Sequence, residues 1–171
     1  MVACVVVAIV AVVYFLSSST SSGENRILEN QTPNIIKEDS RSLVVYFSVP
    51  ETDDPNNMTR DEENSTVVID GKMLGNTEYV ATLISERTNS DLFRLEPVEA
   101  YPTNHQDLLR RAQEEMQNDV KPELKENIDI SNYDVIFIGY PIWNADLPPI
   151  INTFLENNDF SGKTVIPFCT H

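Results

Sequence analysis

Leu43 to Phe47, inside "SLVVYFS", form an unbroken run of β-branched, aliphatic and aromatic residues, which predicts a short core strand ending at Ser48 and Pro50. "YDVIFIGY" (Tyr133 to Tyr140) is the most continuously apolar run, and predicts a central strand covered on both faces. "DLFRLEP" (Asp91 to Pro97) is half polar, as an outer strand would be, and Thr164 to Phe168 predict a fourth strand. Between these runs the period lengthens to that of a helix. "GNTEYVATLISERT" places Tyr79, Val80, Leu83 and Ile84 on one face, with Asn76 as its N-cap. "NHQDLLRRAQEEMQND" turns Leu108, Leu109, Ala112 and Met116 inward, and "LPPIINTFLEN" predicts a third helix with Pro148 or Pro149 in its first turn. The order is β-α-β-α-β-α-β. Such alternation implies an α/β fold, a doubly wound parallel sheet with helices on both faces and right-handed crossovers.

Two stretches break the pattern. Residues 49–74, "VPETDDPNNMTRDEENSTVVIDGKML", are acidic and turn-rich, and much longer than the usual connection of about 2–6 residues. They are expected to be an insertion, with a small strand at Val67 to Ile69. Ahead of the domain, residues 1–20 hold an apolar run from Val2 to Leu16 and then serines, the pattern of a signal-peptide core or short membrane anchor. A span needs about 17–25 residues, and no Lys or Arg precedes the run. Residues 21–41 are polar and predict a linker, which leaves 42–171 for the domain.

Composition narrows the partners. The chain has 171 residues, enough for one domain with a real core, and a formal net charge of −15. Phosphate backbones would be repelled, so nucleic acid is not expected, and the acidity favours cationic partners. The two cysteines, Cys4 and Cys169, and the two histidines, His105 and His171, form neither a disulfide framework nor a metal-ligand spacing. No paired catalytic carboxylates, nucleophile–base pair or nucleophile elbow is visible.

In open parallel sheets ligands bind beyond the carboxyl ends of the strands, where the winding reverses. Three loops reach that edge. The first carries Ser48 and, past the insertion, Gly75, Asn76 and Thr77 at a helix start, where free N–H groups and hydroxyls suit a phosphate. An ordinary helix cap would look the same, and no Walker pattern accompanies it. The second, "PIWNADLPP", holds the single tryptophan, Trp143, between Pro141 and Pro148, with Asn144 suited to a positive φ. Trp143 either stacks on a planar ligand or packs over the sheet end. The third begins with Thr170 and His171.

Together "LVVYFS…GNTEYVA", "YDVIFIGYPIW" and "FSGKTVIPFCTH" resemble the flavodoxin family, and in particular flavodoxin-like proteins with bacterial secretion signals. The resemblance covers the chain from about Ser42 onward. It implies a sheet of order 2-1-3-4-5 that binds flavin mononucleotide (FMN). Ser48, Gly75, Asn76 and Thr77 would correspond to the phosphate loop. Pro141, Ile142, Trp143 and Asn144 would flank the isoalloxazine ring, and Thr170 and His171 would open the third flavin loop. Family members have a compact phosphate loop and a Gly-rich loop, a fifth strand and further helices after the fourth strand; here the insertion intrudes, and the fifth strand and last helices are expected to be missing. The function implied is an FMN-binding redox protein, an electron carrier or FMN-dependent oxidoreductase, anchored at a membrane or exported. The alternative is a flavin-free module presenting its acidic insertion to a partner.

Overall fold

The structure, a computed structural model, describes residues 40–171. The apolar run 2–16 and the linker up to residue 39 lie outside the described residues. Among those described, no helix is long and apolar enough to cross a membrane.

β1 (Ser42–Tyr46) carries apolar side chains on both faces, and Leu43, Val44 and Val45 are completely buried. The insertion follows and is more ordered than its composition suggests. It contains α1 (Arg60–Ser65), β2 (Thr66–Ile69) and β3 (Lys72–Gly75). A capping box starts α1: Thr59 accepts from the Glu62 amide, and the Glu62 carboxylate accepts from the Thr59 amide. β2 and β3 pair antiparallel around Asp70 and Gly71, both at positive φ, as a two-residue hairpin turn requires. The expected single strand at 67–69 is therefore one half of a hairpin.

α2 (Asn76–Thr88) follows β3 with no intervening loop. Gly75, not Asn76, occupies the N-cap position, because the strand's last residue is already extended and the helix starts directly after it. The buried face of α2 is Thr77, Val80 and Ala81, while Tyr79, Leu83 and Ile84 are only half buried. β4 (Asp91–Arg94) is shorter than expected. Leu95 still donates to the Tyr46 carbonyl, but Pro97 has turned away to bridge Leu124. In α3 (His105–Gln117) Leu108 and Ala112 are buried as expected, Met116 packs against the core, and Leu109 is 39% exposed. The buried stripe is completed by Glu115, on one face with Leu108 and Ala112, a carboxylate that accepts from the Tyr101 hydroxyl at 2.6 Å and from the Arg111 guanidinium at 2.9 Å.

β5 (Val135–Pro141), α4 (Pro149–Glu156, with Pro149 in its first turn) and β6 (Thr164–Thr170) complete the described elements. The four main strands are parallel in the order β4-β1-β5-β6, the first four of the expected series. β1 and β5 are central, and α2 covers one face through Val80 and Ala81. On the other face Leu43, Val45, Phe47, Ile136 and Ile138 join Leu108 and Ala112 of α3 and Ile150, Ile151 and Phe154 of α4. Each such Val, Leu, Ile or Phe side chain contributes about 1.5–3 kcal/mol on burial.

Candidate functional site

From β1 the chain winds outward through α2 to β4, then crosses to β5 on the other side. The winding therefore reverses between β1 and β5, and the crevice beyond their carboxyl ends is where such folds take ligands.

Ser48 lies just past β1 and is buried, and its Oγ accepts from the Glu78 amide in the first turn of α2 at 3.2 Å. Gly75 makes this approach possible. A Cβ there would stand 2.1 Å from Ser48 Oγ and 3.0 Å from the Val49 carbonyl oxygen, so only glycine fits. Thr77, the second residue of the same helix, shares a buried 2.7 Å hydroxyl–hydroxyl bond with Thr170 at the end of β6. The Ile142 amide donates to the Thr170 carbonyl at 2.8 Å, which draws the second loop onto the third. Ser48, Thr77, Pro141, Ile142, Thr170 and His171 consequently line one small cavity, of about 30 Å³.

The remaining predicted residues are placed differently. Gly75 packs behind Ser48. Asn76 turns its amide to the insertion, donating to the Asn64 carbonyl at 2.5 Å. Trp143 is 7% exposed and sits in an aromatic cluster, edge-on to Phe47 and Tyr101 at 5.3 Å from each. Of the two roles open to it, packing is the one seen in this conformation. Asn144 (φ 48) and Ala145 (φ 64) form a type I′ turn, closed by reciprocal hydrogen bonds between Trp143 and Asp146. The Asn144 amide reaches Met116 Sδ in α3 at 3.7 Å, so the turn leans toward α3.

Sequence reasoning missed the wall supplied by the insertion. Glu51, Asn64 and Ser65 also line the cavity. Glu51 is 6% exposed and doubly fixed: its amide donates to Thr66 Oγ1 and its carboxylate meets His105 Nδ1, each at 2.8 Å. Thr103 donates to Asp53, a second tie between the insertion and the start of α3. Two signals in the sequence pointed this way. Thr59 followed three residues later by Glu62 is a capping box, and Asp70-Gly71 after the β-branched run Val67 to Ile69 is a hairpin turn.

No Lys or Arg lines the cavity. Arg94 buttresses it from behind, donating to the Ser48 carbonyl at 2.9 Å and to the Glu78 carboxylate at 3.2 Å. Beneath it, burial and the carboxylates of Glu78 and Glu96 push the Tyr46 phenol up to about 12, against the opposing charge of Arg94. The Tyr101 phenol is raised too, by burial and then by its bond to Glu115.

A reversal of winding, a helix N-terminus and converging hydroxyls at one sheet edge define a doubly wound α/β protein with a hydroxyl-lined crevice. The sequence model of a family described as Flavodoxin matches residues 66–171, and the chain belongs to the flavodoxin family. Among solved structures it is similar to a candidate flavoprotein from Bacteroides eggerthii, at 32% identity over 77% of this chain and 70% of that one, with a TM-score of 0.56. A second candidate flavoprotein, from Bacteroides uniformis, is 31% identical over 76% of this chain and 71% of that one, with a TM-score of 0.57. A flavoprotein from Lactobacillus acidophilus in complex with FMN shares the fold at 19% identity, over 76% of this chain and 92% of that one, with a TM-score of 0.53. No curated protein matches the chain.

Proposed function

We propose that the chain binds FMN at the crevice beyond β1, β5 and β6 and works as a redox protein. The observation that carries this reading is the convergence of Ser48, Thr77 and Thr170 on the start of α2, with Gly75 where a Cβ would fill the cradle. Neutral hydroxyls and helix-start amides fit a phosphate, and family membership supports a flavin. Ser48, Thr77 and Thr170 would hold the phosphate, and Pro141 and Ile142 would wall the ring. The flavin, when bound, supplies the electron chemistry, while the protein sets position and electrostatics. A net charge of −15 favours cationic redox partners. The apolar run Val2 to Leu16 supports a place at a membrane or beyond it.

Equilibrium dialysis of the domain with FMN tests the reading: one flavin is retained per chain, with a shifted flavin absorption band. Failure to retain FMN at any concentration would leave the alternative, a flavin-free interaction module. One observation favours that alternative: Asn64 and Ser65 of the insertion wall the cavity, whose volume is only about 30 Å³.

A further inference from the structure

The start of α2 carries a side-chain charge of the wrong sign for a phosphate. Glu78 is the third residue of the helix, and its amide is the one that Ser48 Oγ caps. Its side chain is only 19% exposed. A carboxylate in the first turn interacts favourably with the helix dipole, so it competes with any second anion brought to the same amides. One cation answers it. Arg94 ends β4 opposite Tyr46, and its guanidinium donates to the Glu78 carboxylate at 3.2 Å and to the Ser48 carbonyl at 2.9 Å. Glu96 stands farther from Arg94, at 3.9 Å, and has Lys125 at 3.3 Å as its own partner. Tyr46 registers the pair with opposite signs: after burial, Glu78 raises its phenol and Arg94 lowers it.

We infer that Arg94 is the positioning residue of the phosphate cradle, acting through Ser48 and Glu78 rather than by touching the ligand. This rests on the flavin reading above and adds to it a residue outside the cavity lining. One planar fork grips two acceptors. Its bond to the Ser48 carbonyl fixes the peptide whose hydroxyl meets the helix start. Its pairing with Glu78 offsets the carboxylate that would otherwise repel a phosphate there. Arg94 therefore favours the phosphate of the flavin and leaves the ring and the neutral ribityl chain nearly unaffected.

The test titrates the full chain with FMN and with riboflavin, which differ only in the phosphate, and reads the ratio of the two affinities from flavin fluorescence. Wild type is expected to prefer FMN. Arg94→Gln should cut that preference by about threefold to tenfold, the effect of one partly screened charge, with riboflavin affinity changed far less. Arg94→Lys keeps the charge without the fork and should retain more of the preference than Arg94→Gln. Glu78→Gln removes the competing charge and should raise the preference, and Arg94→Gln/Glu78→Gln should return it close to the wild-type value. A wild type indifferent to the phosphate overturns the inference while flavin binding itself stands. So does an unchanged ratio in Arg94→Gln, an equal loss for both flavins, or a lysine variant no better than the glutamine one. If Arg94→Gln does not fold, Glu78→Gln decides: a higher preference for FMN supports the inference, and an unchanged or lower one overturns it. If neither flavin binds wild type, the flavin reading fails, and inorganic phosphate decides the role of Arg94. Phosphate should shift the Thr77 and Glu78 amide resonances of wild type at concentrations that leave Arg94→Gln untouched. Equal responses, or none in either protein, overturn it on that arm as well.

Discussion

At the scale of single residues, the chain's only tryptophan decides between two roles. Trp143 follows a strand and precedes a pair of prolines, and that context is equally good for a ring stacked on a ligand and for one packed on the core. The contacts that separate the two come from Phe47 and Tyr101, residues remote in sequence, so nothing local to "PIWNADLPP" reports them. Tyr101 is in turn held by Glu115 and lies under the Arg111 guanidinium, 4.2 Å from its ring centre, so the cluster is locked from the side of α3. Trp143→Ala should therefore cost about 3–5 kcal/mol of folding stability, the range for a large aromatic removed from a core. Urea denaturation measures it. A variant of wild-type stability that has lost only flavin affinity would return Trp143 to the ligand-stacking role.

At the scale of elements, the main strands and helices were legible because each declares its own period. Boundaries were less so: β6 runs on to Thr170, beyond the expected Phe168, because β5 continues to pair with it as far as Pro141. The continuation depends on close packing. Gly139 lies beneath the Phe168 ring, and a Cβ at that position would stand 2.1 Å from it. The insertion was the least legible part, since charged residues dominate it and its order comes from ties to α2 and α3 that no local pattern shows. The candidate site divides in the same way. Ser48, Thr77 and Thr170 were found because a helix start and strand ends announce themselves, while Glu51 was hidden in an acidic run that resembles any solvated surface. Turns carry a prediction of their own. Ala145 holds φ 64 in the I′ turn, a conformation that costs an L-residue about 1–2 kcal/mol relative to one without a Cβ. Ala145→Gly should recover about 1 kcal/mol, less the added entropy of the unfolded chain, read as a higher urea midpoint at unchanged slope. A lower midpoint would mean that the turn is not held at positive φ.

For the molecule as a whole, 27 acidic against 12 basic side chains make both extremes of pH informative, the alkaline one most directly. Tyr46 keeps its proton up to about 12 when folded, mainly because its phenol is buried. Unfolded, it releases the proton near pH 10. Above that point the unfolded state binds fewer protons than the folded one, so stability falls as pH rises. The full contribution is present below about pH 10 and is lost by about pH 12, which amounts to roughly 2–3 kcal/mol from this residue. Tyr101, raised in the same direction, steepens the decline. Urea midpoints measured across this range should drop more gently in Tyr46→Phe than in wild type; identical slopes would place the loss elsewhere. The parallel pairing of β1 has a further consequence, one of time. Its partners are β4 and β5, and β5 lies about 90 residues further along the chain. At synthesis rates of about 5–20 residues per second, "LVVYF" leaves the ribosome several seconds before the strand that will flank it on its second side. For that interval a strand whose Leu43, Val44 and Val45 end completely buried is a bare ribbon edge, open to wrong pairing until Val135 to Pro141 arrive.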